Sequence, residues 1–384
     1  SQINQYIEIL SSIPQRSLVS LRMGSRKETV LAMLALFRRG TPFIVVDSAH
    51  ISASRWSLEN RRVLVEHHNA PIDTLPEGIV YSILTSGTTG ERKRVDVPED
   101  CIRINIEDFR DRFRIGDRLL QCTSFHFDPS MVDILLWATI GNTLLLMREE
   151  AARAPAALPV AIVQCASTFV QMCPSMLIRL GETTLRKVLS TKTSLQTLLI
   201  GGEQFPLDLI QRCRSIDCPT EIYDVYGITE VSCWATVRKI TKDCKTVTLG
   251  EEIKGTQLRI DEANQLWIGG EKRRCLVDGT SHEWFNTGDK VVKSSDGVRI
   301  VGRSGDEIKI NGIRVNLAEC ARDLTRVDPA LEFARFHYYK DTFLVIFVMG
   351  NAVLDMKKVE SILPFGIHVH HLELISALPL NTSG

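Results

Sequence analysis

Short apolar runs alternate with amphipathic segments along residues 17–230 of the chain. The segment at 28–37 has its apolar residues at helical spacing, and the runs at 17–22 and 42–46 on either side of it are typical of buried strands. Gly40 is expected to end the helix. Because a strand–helix–strand connection within one sheet is almost always right-handed, we expect a βαβ unit with parallel strands.

The same alternation continues after residue 100 and predicts an α/β fold. Helices are indicated at residues 102–113 and 132–138, and strands at residues 119–124, 142–146, 166–172, 195–200 and 222–225. Polar or glycine-rich motifs directly follow several of these strands. Since ligands of open α/β sheets bind at the carboxyl ends of the strands, we expect these motifs to share one site.

A different pattern begins after residue 237 and indicates a smaller β subdomain. Its short strands, separated by Gly-rich turns, are predicted at residues 246–249, 258–260 and 265–268. After residue 303 the pattern predicts an α+β segment, in which Asn311-Gly312 is a strong signal for a two-residue hairpin turn. Further strands are predicted at 343–349 and 369–374, with a helix at 356–363.

Composition and charge exclude several classes of protein. The 384 residues are enough for roughly two or three domains, and 46 basic residues balance 46 acidic ones, so nothing in the charge indicates a nucleic acid or an anionic membrane as partner. No apolar run reaches the roughly 20 residues of a membrane span. The ten cysteines have no C-x-x-C spacing, which predicts reduced, mostly buried thiols and a cytoplasmic protein.

The most informative stretch is YSILTSGTTGERKRVDVP at residues 81–98. After an apolar strand, its turn consists of hydroxyl residues and glycines: Thr85, Ser86, Gly87, Thr88, Thr89 and Gly90. Glycines let backbone N–H groups approach an anion, and Lys93 adds a positive charge, so we interpret the turn as a phosphate loop. The spacing is not that of a Walker loop. The alternative is a solvated Ser/Thr/Gly turn without a ligand.

The string TSGTTG-x-x-K resembles the signature of the adenylate-forming superfamily, which includes acyl-CoA synthetases, luciferases and the adenylation domains of peptide synthetases. The resemblance implies that the loop holds the β- and γ-phosphates of ATP, with Thr85 and Lys93 among the catalytic residues. The family usually has proline before the lysine, where this chain has Arg92.

A second motif, YGITE at residues 226–230, resembles the family's YGPTE. The resemblance implies that Tyr226 stacks on adenine, that Thr229 contacts phosphate, and that Glu230 is catalytic and helps to hold Mg²⁺, a cation that prefers carboxylate, phosphate and water oxygens. It also implies nucleotide contacts from three neighbouring positions: Gly202, Asp224 and Gly227.

Two further motifs imply ribose contacts and a mobile lid. Thr287-Gly288-Asp289 resembles the family's TGD, whose aspartate binds the ribose hydroxyls, and Arg303 matches an arginine that reaches the same ribose. Gly305 stands at the hinge position, where the family usually has Asp or Lys, so the control of lid rotation is in doubt. The hairpin at 308–315 resembles the one lining the path of the thiol, with Gly312 leaving room for a pantetheine arm.

The resemblance completes the expected architecture. We expect an α/β fold with a large N-terminal core of mixed and parallel sheets packed with helices, a β subdomain, and a small mobile α+β C-terminal lid. The adenylation core would cover residues 1–303 and bind ATP and the acyl substrate, and the lid would cover residues 304–384.

The substrate motif is FDPS at residues 127–130, which resembles the FDxS of amino-acid-activating members. In these members the aspartate holds the substrate ammonium, so Asp128 is the candidate; the alternative is that Asp128 only caps the following helix. By their spacing from the motifs, these residues would line the acyl pocket: Phe127, Val132, Gln171, Leu199, Gly201, Val225, Cys233 and Trp234. Trp234 favours a small acid, and the runs YGITEVSCWATV and GGEKRRC resemble β-alanine-activating members of the family.

Together the motifs imply ATP-dependent activation of a small amino acid, with β-alanine the best candidate. The products would be an acyl-AMP and pyrophosphate, and the acyl group would pass to phosphopantetheine on a carrier domain, expected downstream in the same chain, or to CoA. His126 and the pair His370-His371 are expected to be structural. Two alternatives stay open: an acyl-CoA ligase for an uncharged small acid, and a nucleotide-binding module that has lost catalysis.

The end of the chain bears on the second alternative. Residues 377–384 resemble the family's closing motif LPL-x-x-x-GK, one residue short of its lysine. The chain begins at Ser1 without the features of a signal peptide, and we expect it to be a fragment whose natural sequence continues with lysine.

Overall fold

The structure is a computed structural model that describes most of the chain. The described residues are 2–12, 17–22, 25–46, 54–58, 63–67, 75–85, 93–147, 157–303, 307–310, 313–328, 330–339, 343–350, 355–364 and 366–375. Several predicted residues lie outside them: Ser86, Gly87, Thr88, Thr89, Gly90, Gly305, Gly312 and the closing segment 377–384.

The α-helices are α1 (Gln2–Ile9), α2 (Arg26–Arg39), α3 (Glu99–Arg112), α4 (Pro129–Ile140), α5 (Ala157–Val163), α6 (Pro174–Arg179), α7 (Glu182–Val188), α8 (Leu207–Cys213), α9 (Leu317–Val327) and α10 (Met356–Ile362). Short 3₁₀ helices lie at Leu10–Ser12 and Thr229–Val231. Within the described ranges, none of the helices has the length and apolar character needed to cross a membrane.

The strands up to residue 239 are β1 (Val19–Arg22), β2 (Phe43–Val46), β3 (Ser54–Leu58), β4 (Val63–His67), β5 (Ile79–Thr85), β6 (Lys93–Pro98), β7 (Arg118–Gln121), β8 (Thr143–Leu146), β9 (Phe169–Met172), β10 (Thr197–Gly201), β11 (Glu221–Tyr226) and β12 (Thr236–Lys239). Those that follow are β13 (Glu251–Glu252), β14 (Gln257–Ile260), β15 (Gln265–Gly269), β16 (Leu276–Val277), β17 (Thr280–Ser281), β18 (Trp284–Ser294), β19 (Gly297–Arg303), β20 (Glu307–Ile310), β21 (Ile313–Asn316), β22 (Leu331–Tyr339), β23 (Phe343–Gly350) and β24 (His371–Leu374).

The first sheet has eight strands in the order β17-β16-β6-β5-β2-β1-β4-β3. Its β1–α2–β2 unit confirms the predicted βαβ connection, because β1 and β2 pair in parallel. The Ser25 hydroxyl begins α2 by accepting from the Glu28 N–H at 3.3 Å, and Gly40 ends it at φ 63°. This left-handed conformation favours glycine and closes the helix with backbone bonds.

The second sheet has seven strands in the order β13-β12-β11-β10-β9-β7-β8. Strands β8, β7, β9, β10 and β11 are parallel to one another, whereas β12 and β13 run antiparallel at one edge. Parallel strands bring their carboxyl ends to one side of the sheet. The motifs that follow β7, β10 and β11 therefore lie on the same side, as the sequence predicts.

The β subdomain is a four-stranded sheet in the order β14-β15-β18-β19. The strand predicted at residues 246–249 is wrong, because this segment joins no ladder in the structure. The chain turns just before it, where the Cys244 N–H donates to the Thr241 oxygen at 3.3 Å, and the Leu249 N–H then donates to the Val298 oxygen at 2.8 Å. The segment is therefore connected to β19 by an isolated bond and not by a ladder.

The C-terminal elements form a separate hydrophobic cluster. Strands β20 and β21 pair antiparallel with Ile310 opposite Ile313, as expected for a hairpin with a two-residue turn. Strands β22, β23 and β24 form a three-stranded sheet. Leu324 and Ile346 are buried in this cluster, and the half-buried Phe127 of the substrate motif packs against it.

Candidate active site

Tyr226 and Asp289 join two of the predicted nucleotide motifs. The Tyr226 hydroxyl donates to Asp289 Oδ2 at 2.5 Å, across 63 positions of sequence. The Thr287 hydroxyl donates to the Leu266 oxygen at 2.8 Å and accepts from the Asp289 N–H at 3.0 Å, which fixes the TGD segment. Arg303 stands opposite Asp289 in the pairing of β18 with β19. The structure therefore brings together the residues predicted to contact adenine and ribose.

The remaining nucleotide residues lie close to this pair in the fold. Asp224 is half-buried on β11, and Thr229 and Glu230 are half-buried in the 3₁₀ turn that follows Tyr226. Gly227 is required between them, since a Cβ there would lie 1.8 Å from the Cys233 oxygen. Gly202 has a φ of 91° just after β10. The carboxylates of this group can accept from the adenine amino group or the ribose hydroxyls, and Glu230 can hold a cation.

The predicted phosphate loop is carried by the hairpin of β5 and β6. Thr85 ends β5 and stands opposite Lys93, the first residue of β6, with the Thr85 hydroxyl 3.5 Å from the Lys93 oxygen. Behind them, the buried Asp96 carboxylate accepts from the Ser82 hydroxyl at 2.6 Å and pairs with the Arg94 guanidinium at 2.8 Å. The two strands therefore hold both ends of the loop at one place.

Asp128 lies at the start of α4 with 4% of its surface exposed. Its φ of −57° and ψ of −28° are helical, and its side chain makes no hydrogen bond that caps the helix. The turn is held by Ser130, whose hydroxyl donates to the Phe127 oxygen at 2.7 Å. Burial, and then the Asp128 charge, raise the pKa of Tyr81 and of Cys233 well above their usual values. Asp128 is thus a buried carboxyl group close to the predicted pocket wall.

Most residues predicted to line the acyl pocket belong to one hydrophobic cluster. Its members include Val132, Leu199, Val225, Cys233 and Trp234. Gly201 stands opposite Val225 in the sheet, and Gln171 stands opposite Leu199. The Trp234 indole Nε1 donates to Gln171 Oε1 at 2.6 Å, so these two side chains meet directly.

Four residues without a predicted role form hydrogen bonds with residues of this pocket wall or with the adjoining Ser232. The buried Arg273 guanidinium donates to the Trp234 oxygen and lies 3.4 Å from the Ser232 oxygen, which also accepts from Asn105 Nδ2. The Tyr81 hydroxyl lies 3.1 Å from the Ser232 hydroxyl. Burial lowers the pKa of Arg273. The fourth residue, Asp133, accepts from Gln171 Nε2 at 3.1 Å.

A sequence signal existed for two of these four residues. Asp133 is an acidic residue in the otherwise uncharged helix PSMVDILLWATI, and Arg273 belongs to the run GGEKRRC. Neither signal indicates which residue the side chain would contact. Asn105 and Tyr81 resemble many other polar residues of helices and strands, so their sequence contexts give no signal.

The histidines and cysteines have the surroundings that the sequence predicts. His370 Nδ1 accepts from the Leu344 N–H at 3.1 Å, and the exposed His371 contacts Glu373 at 3.1 Å. All ten cysteines are free thiols, and all but Cys165 and Cys173 are buried.

Comparison with solved structures defines the class of protein. The adenylation domain AlmE of Vibrio cholerae, solved in complex with glycyl-adenosine-5'-phosphate, matches with a TM-score of 0.78 at 18% identity, over 98% of this chain and 89% of its own. An NRPS protein containing adenylation and PCP domains matches with a TM-score of 0.74 at 18% identity, over 99% of this chain and 88% of its own. The fold is that of the adenylate-forming enzymes.

The sequence profile of the AMP-binding enzyme family matches residues 41–272, and the chain belongs to this family. The beta-alanine-activating enzyme of Mus musculus is 31% identical in an alignment of 367 residues, and the alignment covers 86% of this chain and 32% of the relative. The chain therefore spans about a third of the length of that curated relative. The family match and the fold together confirm the resemblance to AMP-binding enzymes that the sequence motifs indicate.

Proposed function

We propose that this chain activates the carboxylate of a small amino acid with ATP, forming an acyl-AMP and releasing pyrophosphate. β-Alanine is the substrate we favour. The observation that carries the proposal is the position of Asp128, a buried carboxylate at the carboxyl end of β7 whose side chain does not cap the helix it precedes.

Asp128 is suited to an ammonium group rather than to an apolar acid. An ionised carboxylate removed from water is costly unless an opposite charge approaches it. A carboxylate at this position can accept hydrogen bonds from the ammonium of a short acid, whose chain would lie against the apolar cluster around Trp234. In β-alanine the ammonium and the carboxylate stand at opposite ends, so one end would bind Asp128 while the other faces the nucleotide.

The nucleotide would bind across the Tyr226 and Asp289 pair. Asp289 would accept from the ribose hydroxyls, with Arg303 beside it, and Thr85, Lys93 and the loop between them would contact the β- and γ-phosphates. Among the described residues no three His, Cys, Asp or Glu side chains converge as a metal site. Glu230 would therefore hold Mg²⁺ together with phosphate and water oxygens, which is the ligand set this cation prefers.

The chemistry requires positioning and charge stabilisation more than acid–base catalysis. A substrate carboxylate attacks the α-phosphorus and pyrophosphate leaves. Lys93 and the loop donors would stabilise the charge that develops on the phosphates. This division of labour fits a site in which hydroxyls, backbone N–H groups and cations surround the phosphates and Asp128 lies at the acyl end.

The acyl group would then pass to a phosphopantetheine thiol of a carrier domain. The solved neighbour that contains adenylation and PCP domains supports this proposal by its fold. We propose that residues 304–384 form the lid, hinged near Gly305, and that Gly312 leaves room for the pantetheine arm. Phe127, which packs against the C-terminal cluster, would connect the lid to the substrate motif.

Acid-dependent ATP–pyrophosphate exchange tests the proposal in the full-length protein. The panel compares β-alanine and glycine with butyrate and longer fatty acids. Exchange that requires an amine and is strongest with β-alanine supports the proposal. Exchange with uncharged acids alone favours an acyl-CoA ligase for an uncharged small acid, and ATP binding without any exchange favours a module that has lost catalysis.

A further inference from the structure

Asp133 is a buried carboxylate beside the acyl pocket. It is the only ionisable residue of α4, and none of its surface is exposed. Its Oδ1 accepts from Gln171 Nε2 at 3.1 Å, and its Oδ2 accepts from the Thr123 hydroxyl at 3.4 Å. Retaining a carboxylate here costs desolvation free energy, so its contacts call for a functional explanation.

Gln171 extends the contact from Asp133 to the pocket wall. Its Nε2 also donates to the Pro129 oxygen at 2.9 Å, and its Oε1 accepts from Trp234 Nε1 at 2.6 Å. Turning the amide over would place its oxygen against two acceptors and its NH₂ against the indole N–H. The three hydrogen bonds therefore fix one orientation of the Gln171 amide, and we call this arrangement the Asp133–Gln171–Trp234 chain.

The indole is also held at its opposite edge. A Cβ at position 201 would lie 2.9 Å from Trp234 Cη2 and 2.1 Å from the Val225 oxygen, so only glycine lets the ring lie against β10. With Nε1 tethered to Gln171 and Cη2 against Gly201, the ring has little freedom to move. If Trp234 lines the proposed acyl pocket, an indole that cannot move fixes the depth of that pocket.

We propose that Asp133 is a positioning residue that sets the size limit of the acyl pocket through Gln171 and Trp234. This inference rests on the proposed function, since it requires that the pocket binds the acid. Without Asp133 the Gln171 amide keeps only its bonds to the Pro129 oxygen and to the Trp234 indole, so it can shift together with the indole. The indole then loses its fixed acceptor, and longer acids gain access.

Tryptophan spectroscopy tests the positioning step without any assay of activity. The signal of Trp234 is obtained as the near-ultraviolet circular dichroism of each protein minus that of its Trp234→Phe partner. Asp133→Ala and Gln171→Leu should change this signal. Asp133→Asn should preserve it, because its amide oxygen still accepts from Gln171 and its NH₂ donates to Thr123. A signal unchanged in Asp133→Ala overturns the positioning role.

A matched control addresses a general loss of structure. Asp328 is also a buried carboxylate, but it pairs with Lys358 at 3.1 Å in the C-terminal cluster. Asp328→Asn should leave the Trp234 signal unchanged. A signal altered equally in Asp328→Asn and Asp133→Ala would mean that the effect is global and would overturn the inference.

The size limit is read from exchange kinetics. We compare kcat/KM for β-alanine with that for 5-aminopentanoate, which has the same end groups and a longer chain. Asp133→Ala should lower this ratio by about tenfold, the scale of discrimination for a methylene or two in a pocket, and Asp133→Asn should keep it. An unchanged ratio together with an altered Trp234 signal overturns the size limit. If none of the acids supports exchange in the wild type, the proposed function is overturned. The spectra still test whether Asp133 positions Trp234.

Discussion

At the scale of single residues, two buried acidic side chains lie among or beside the residues of the proposed acyl pocket. Asp128 and Asp133 are 4% and 0% exposed. Burial raises the pKa of Asp133 well above its usual value, although Thr123, Gln171 and the Arg26 charge act in the opposite direction. The folded protein therefore binds this proton more tightly than the unfolded chain does. Stability then falls as the pH rises from about 4, the usual Asp value, through the raised pKa.

Asp133→Asn should remove this part of the pH dependence. Above about pH 4, the free energy of unfolding of the variant should rise relative to that of the wild type by up to about 1.4 kcal/mol per pH unit. This rise should end once the pH passes the pKa of Asp133 in the folded wild type. Urea unfolding at several pH values measures the difference. If the free energies of unfolding of the two proteins change with pH in parallel, Asp133 has the same proton affinity in the folded and unfolded states.

The ribose contact gives a second prediction for a single residue. Asp289→Asn keeps the shape of the side chain but loses the charge that would accept two ribose hydroxyls. ATP affinity should fall by roughly 10–100-fold, the range for hydrogen bonds to a charged group, while amino-acid binding stays within twofold. Calorimetric titration with ATP measures this loss. Tyr226→Phe, which removes only the donor to Asp289, is the control and should have the smaller effect; full ATP affinity in Asp289→Asn would contradict the assignment.

At the scale of secondary-structure elements, strong periodicity made the strands under the site predictable. Strands β7, β10 and β11 all lie where the apolar runs indicate. Strands β3 and β4 were not predicted, because SRWSL and VLVEH mix polar and apolar residues and β3 lies at a sheet edge. Residues 246–249, where a strand was wrongly predicted, include β-branched residues but form no ladder with another strand. Strand formation depends on such pairing more than on the propensity of the residues themselves.

The β5–β6 hairpin provides a prediction at this scale. Asp96→Ala would leave the buried Ser82 hydroxyl and the Arg94 guanidinium without their shared acceptor. The free energy of unfolding should fall by about 2–4 kcal/mol, since an abandoned buried partner costs more than the lost bond. Urea unfolding measures it, with Ser82→Ala as the milder control at about 1 kcal/mol. A denaturation midpoint equal to that of the wild type would show that the network does not hold the hairpin.

At the scale of the whole molecule, the fold brings residues of different motifs together and adds contacts that the motifs did not predict. Tyr226 and Asp289 were each predicted from local sequence, and the fold brings them into contact. Arg273 and Asn105 were missed, because their bonds to the segment at 232–234 span 39 to 127 positions. Such pairings depend on the tertiary fold, and no local pattern encodes them.

The substrate motif also links the main body of the chain to its C-terminal cluster. Phe127 packs against that cluster, and Asp128 follows it directly at the start of α4. Movement of the proposed lid would therefore change the packing of Phe127, directly beside the proposed ammonium site.

The measurement that most directly tests the account compares β-alanine with butyrate, in which a methyl group replaces the ammonium. In the full-length wild type, kcat/KM for acid-dependent ATP–pyrophosphate exchange should favour β-alanine by about 10³-fold, the scale of one desolvated charge pair. Asp128→Asn should remove most of this preference while ATP affinity stays near that of the wild type. A preference that survives in Asp128→Asn, or a wild type that activates butyrate equally well, would contradict the claim that this site activates an amino acid.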